Sequence, residues 1–132
     1  MKILILTAAT GGGHRRAAHA LQTYITEHSE GNRVVVLDAL KEIGPVLDHT
    51  CCDGYRLLCR RAPQTFGRLY RATNKPSPMK GMMFQINYQH SGRLAQAIRQ
   101  VAPDVILSTH PFATEMVSRM KKNGYQVPLL CL

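Results

Sequence analysis

Lys2-Ile3-Leu4-Ile5-Leu6-Thr7-Ala8-Ala9-Thr10-Gly11-Gly12-Gly13-His14 is the stretch that decides the fold. Lys2 to Thr7 is an apolar run rich in Ile and Leu that ends in glycines. This is the pattern of a strand buried on both faces of a parallel sheet. Thr10, Gly11, Gly12 and Gly13 form the loop after it, and the spacing predicts a helix from about His14 to His28. Ala17, Leu21, Tyr24 and Ile25 are expected on its inner face, and Gly31-Asn32 stops it. Arg33-Val34-Val35-Val36-Leu37-Asp38 reads as a second buried strand. Strand, helix and strand over this distance predict a right-handed βαβ unit.

Further along, Val46 to Arg61 and Gln64 to Thr73 read as helical, with a break at Asn74-Lys75-Pro76-Ser77-Pro78. Phe84 to Ala102 predicts another helix, with Leu94, Ile98 and Val101 on one stripe. The α/β rhythm then returns. Asp104 to Ser108 is a third strand and Thr109-His110-Pro111 its loop. Phe112 to Lys122 is a helix with Ala113, Met116, Val117 and Met120 facing inward, stopped by Asn123-Gly124. Val127 to Leu132 begins a fourth strand. The fold class expected is α/β, a Rossmann-like parallel sheet flanked by helices. A strand of Leu, Leu, Cys and Leu wants cover on both faces, so residues 1–132 are expected to be one domain of a larger protein.

The 132 residues suit one domain. No apolar run approaches the ~20 residues needed to cross a bilayer. Met1 to Ala9 is too short for a signal peptide, so a cytoplasmic protein is expected. Cys51, Cys52, Cys59 and Cys131 form no C-x-x-C pair and no zinc pattern. They read as reduced structural thiols, and no metal is expected. The formal charge of +9 is concentrated in one place. Gly54 to Pro103 holds nine of the seventeen basic residues and no acidic one, while the other eight balance the eight acids. Such a field attracts phosphate-bearing partners, either nucleic acid or an anionic membrane. A nucleic-acid module is the weaker option, because the middle region shows no matching motif.

Ligands of open α/β sheets bind beyond the C-terminal strand ends. Three loops are expected there: Ala8 to His14, Asp38 to Gly44, and Ser108 to Phe112. Consecutive glycines let a ligand approach the backbone, and the helix N-terminus behind them favours an anion. No Lys-Ser or Lys-Thr follows, which excludes a Walker loop. A dinucleotide-binding oxidoreductase fits in part. Gly11 and Gly13 fill two places of that fingerprint and Asp38 ends the second strand, but Arg16 takes the third glycine place. An unperturbed histidine side chain has a pKa near 6.5, which suits a general base, so His14 is the candidate for that role. His110 is a weaker second candidate.

Thr10-Gly11-Gly12-Gly13-His14 with Ala17-Ala18 and Ala20-Leu21 resembles the opening of the monogalactosyldiacylglycerol synthase family, which includes bacterial processive diacylglycerol glucosyltransferases. Pro103-Asp104-Val105-Ile106 with Ser108-Thr109-His110-Pro111-Phe112 looks like a second signature of that family. The resemblance spans nearly the whole chain. It implies the N-terminal half of a GT-B glycosyltransferase, inactive without its C-terminal nucleotide-sugar domain. It implies an inverting transfer of a hexose from UDP-glucose or UDP-galactose to diacylglycerol or a similar membrane lipid, with no cofactor. His14 takes the role of base. Thr10, Gly11, Gly12 and Gly13 form the donor-phosphate loop. Asp38, His110, Pro111 and Phe112 stand on the acceptor side. The basic segment then suits an anionic membrane at the inner face of the cell membrane, with Arg60, Arg61, Arg68, Arg71, Lys75, Lys80, Met82, Met83 and Phe84 as contacts. No nucleic-acid partner is implied.

Overall fold

A computed structural model of the chain describes residues 1–9, 12–44, 57, 60–62, 64–65, 67–68, 71 and 92–132. In chain order these give β1 (Lys2–Thr7), α1 (Gly12–His28), β2 (Arg33–Asp38), α2 (Ala39–Ile43), a helix α3 over residues 92–101, β3 (Val105–Ser108), α4 (Pro111–Lys122) and β4 (Leu129–Cys131). The four strands form one parallel sheet in the order β2-β1-β3-β4. This is the Rossmann-like α/β architecture that the strand–helix alternation predicts.

β1 lies between β2 and β3, and Ile3 to Thr7 are all buried. Its alternation divides the core in two, since successive strand residues face opposite sides. Ile3 and Ile5 pack under α1 with Ala18, Leu21 and Ile25. Leu4, Leu6 and Ala8 face the other way, onto Leu40, Leu94, Ile98, Ala113 and Val117. The inner face of α1 is therefore Ala18, Leu21 and Ile25. Ala17 and Tyr24, expected inside, are exposed, Tyr24 to 62%. Only the small Ala18 sits tight on the sheet, so the helix approaches closely there. Arg16, which takes the third glycine place of the dinucleotide fingerprint, is exposed and does not obstruct that approach.

Some boundaries shift. α1 begins at Gly12 rather than His14, and α4 at Pro111 rather than Phe112. β4 is confined to Leu129–Cys131. Residues 39–43, read as loop, form α2 because the Asp38 side chain accepts from the Leu40 N–H at 3.1 Å and caps them. Gly44 closes this short helix at φ 146°, where a side chain would be strained and would also meet Arg93. β2 is only half-buried, with β1 as its one partner strand among the described residues. The predicted helices over Val46–Arg61 and Gln64–Thr73 are helical at residues 57, 60–61, 64–65, 67–68 and 71. The remainder of these helices, the break at 74–78 and the first half of Phe84–Ala102 lie outside the described residues.

The rim at the N-terminal strand ends is tied together by Lys2. Its N–H donates to Asp104 Oδ2 at 2.6 Å, its Nζ donates to Val101 O at 2.7 Å, and its carbonyl accepts from the Asp104 N–H at 2.8 Å. The opposite rim carries the loops. The chain leaves β1 toward β2 on one side, and β3 lies on the other, with α1 and α4 on opposite faces. β1 and β3 thus flank the point where strand order reverses, which is where such sheets open a ligand crevice.

Candidate active site

The two strands at that reversal end one residue apart in register, Leu6 beside Ser108. Each is followed by a helix with a histidine at its start. His14 stands in the first turn of α1, and His110 is the residue immediately before α4. Their rings meet edge to face, with centres 4.5 Å apart and planes at 70°. The sequence separates these residues widely, and the parallel pairing of β1 with β3 brings them together.

Each ring is oriented by a backbone group, and the two groups are of opposite kind. His14 Nδ1 bonds the main-chain carbonyl of Thr109. A carbonyl can only accept, so Nδ1 carries the hydrogen, and in the neutral ring Nε2 keeps its lone pair. His110 Nδ1 accepts from the Phe112 N–H at 3.1 Å and so caps α4. Its proton in the neutral ring therefore sits on Nε2. Burial, and then the neighbouring His14, lower the His110 pKa from 6.5 to about 4. The capping bond works in the same direction, because protonating Nδ1 breaks it. His110 is thus a neutral imidazole at physiological pH.

A net of hydroxyls supports the two loops. Thr109 donates its N–H to Leu6 O at 2.9 Å, and its hydroxyl lies 3.3 Å from Leu6 O and 3.2 Å from His14 O. Ser108 Oγ donates to His110 O at 3.1 Å. Thr114 Oγ1 is 2.9 Å from Ser108 Oγ and 3.3 Å from Cys131 Sγ. Thr7, 2% exposed at the end of β1, has a buried hydroxyl with no hydrogen-bond partner among the described residues. Sequence reasoning missed Thr109 and its hydroxyl neighbours. The signal available was Ser108-Thr109, two hydroxyls at the C-terminal end of an otherwise apolar strand.

The other predicted residues divide as follows. Gly12 and Gly13 form the exposed start of α1. A methyl group added at Gly13 would meet nothing within 4 Å, so its backbone faces open space. Phe112 is half-buried beside His110, ring centres 6.5 Å apart, and Pro111 is the exposed first residue of α4. Asp38 spends a carboxylate oxygen on the α2 cap. That use counts against the ribose-binding role the dinucleotide fingerprint would give it. Arg60, Arg61, Arg68 and Arg71 are all exposed on helical residues, as is Leu57. Thr10, Gly11, Lys75, Lys80, Met82, Met83 and Phe84 lie outside the described residues. A cavity of about 430 Å³ lies elsewhere, lined by Lys2, Arg33, Leu37, Glu42 and Val101. Lys2 and Arg33 mark the N-terminal strand ends, away from the histidines.

The family model of monogalactosyldiacylglycerol (MGDG) synthase matches residues 14–132, from His14 itself through all of β2 to β4. The chain belongs to the MGDG synthase family. Among its relatives, a probable MGDG synthase 2, chloroplastic, of rice (Oryza sativa subsp. indica) is 30% identical over 114 residues, covering 83% of this chain. A probable chloroplastic MGDG synthase of Glycine max is 26% identical over 128 residues, and MGDG synthase 1 of Arabidopsis thaliana is 25% identical over 128, each covering 92% of the chain. The chain spans 23% of the length of each of these relatives. No solved structure matches. No helix among the described residues is long and apolar enough to cross a membrane.

Proposed function

We propose that this chain is the acceptor-side, N-terminal domain of a GT-B glycosyltransferase that moves a hexose from UDP-glucose or UDP-galactose to diacylglycerol or a similar membrane lipid. The observation that carries the reading is the His14 ring, held by a backbone carbonyl so that Nε2 keeps its lone pair, at the sheet reversal of an MGDG synthase family member. In this reading Nε2 removes the proton of the lipid hydroxyl. The freed oxygen pair attacks the anomeric carbon from the side opposite the leaving group, the carbon–oxygen bond to UDP breaks, and configuration inverts. UDP departs with the bonding electrons as a diphosphate anion. The exposed amides of Gly12 and Gly13, at the positive end of α1, suit that anion. The donor itself is held chiefly by a C-terminal domain closing over this rim.

The exposed Arg60, Arg61, Arg68 and Arg71, with Leu57 nearby in sequence, support a lipid-facing role for the basic segment at the cytoplasmic face of the membrane. A transferase assay of the intact enzyme tests the base. His14→Gln should lower kcat by about 10²–10⁴-fold, the range for a positioned general base, with the fold retained by circular dichroism. Near-normal turnover in that variant removes His14 from the role.

A further inference from the structure

The structure assigns Thr109 as the positioning residue of the base: it grips His14 twice, with its main-chain carbonyl on the ring and its side-chain hydroxyl on the His14 backbone. Nδ1 of His14 bonds Thr109 O, and Thr109 Oγ1 lies 3.2 Å from His14 O, the nearer of two acceptors for its one proton, with Leu6 O at 3.3 Å. The ring contact orients the imidazole, and the main-chain contact holds the backbone from which it hangs.

The grip has a firm anchor. The Thr109 N–H donates to Leu6 O at 2.9 Å, which carries the β1–β3 pairing one residue past β3. Thr109 is 2% exposed, and Thr114 packs behind it through Ser108 and the His110 carbonyl. The residue presenting the carbonyl is therefore tied to the central strand through the peptide unit just before it. The His110 ring packs edge to face against that of His14. Thr109 is almost wholly buried, so its contribution passes through His14. It holds the hydrogen on Nδ1 and thereby keeps the lone pair on Nε2.

The inference rests on the reading of His14 as the base, and its test is independent of activity. Long-range proton–nitrogen correlation spectra of the 15N-labelled 132-residue chain, above the histidine titration, read the tautomer of each ring. His14 is expected as the single Nδ1–H form. Thr109→Val keeps the branched shape and removes the hydroxyl. It should leave the amide spectrum folded while the His14 nitrogens move toward the averaged shifts of two tautomers. Thr109→Ser should restore the single form. An Nε2–H His14 in the wild-type chain overturns the assignment, and so does a Thr109→Val spectrum with His14 shifts unchanged. Should Thr109→Val fail to fold, Thr109→Ala removes the same hydroxyl and is read in its place, and the wild-type tautomer still decides. A wild-type Nδ1–H form together with full activity of His14→Gln would leave the positioning intact and sink the catalytic reading instead.

Discussion

His110 illustrates how one side chain can serve local structure and the site together. Its Nδ1 caps α4, and its pKa is lowered to about 4 by burial and by His14. A histidine whose folded pKa lies below its unfolded value near 6.5 stabilises the fold fully above 6.5, and that contribution is lost as pH falls through 4. Thermal unfolding between pH 6.5 and 4 should therefore drop more steeply in the wild type than in His110→Asn, which retains a capping side chain. Equal slopes would mean that the ring is already charged in the folded state. Gly13 offers the converse case. Its added methyl meets open space, and glycine in a helix costs up to about 1 kcal/mol relative to alanine. Gly13→Ala should raise the melting temperature slightly and, if the proposed donor-phosphate role of this loop holds, lower transferase activity in the intact enzyme.

At the level of elements, β1, β3 and α4 are legible in the sequence because a single force writes them. Strands buried on both faces read as unbroken apolar runs, and Ala113, Met116, Val117 and Met120 recur at helical spacing on the one face of α4 that is buried. α1 is less legible. Its inner stripe is narrow and passes through Ala18, so Ala17 and Tyr24 could be taken for core. α2 was hidden because its cause is a single capping bond from Asp38 and not a period. Met116, 1% exposed and in the core under β3, tests the importance of α4 packing. Met116→Ala should cost about 2–5 kcal/mol in chemical denaturation, whereas Met116→Leu, close in volume, should cost less than about 1.5 kcal/mol.

For the molecule as a whole, the candidate site was half legible. The glycines and both histidines stand out as residue types at strand ends, but their meeting depends on which strands are neighbours. Nothing local in a sequence states that β1 pairs with β3. The hydroxyl net around Thr109 was invisible for the same reason, since its partners come from β1 and α1. Charge is legible at this scale, with all of the net +9 in Gly54 to Pro103. Each cation near an anionic surface contributes about 1 kcal/mol and is screened by salt. The protein should therefore co-sediment with phosphatidylglycerol vesicles at low ionic strength and release in high salt. Equal binding to neutral vesicles at every salt concentration would show that charge is not what holds it.

The position of β1 between β2 and β3 also has a consequence for how the protein is made. On a ribosome, β1, α1 and β2 emerge long before β3. Until Val105 to Ser108 are synthesised, one side of the most deeply buried strand keeps its amides and carbonyls unpaired, a template for wrong partners. The nascent chain therefore passes through a window in which it is prone to clump and has not yet brought its two imidazoles together. Closing that open side and assembling the chemistry are one event.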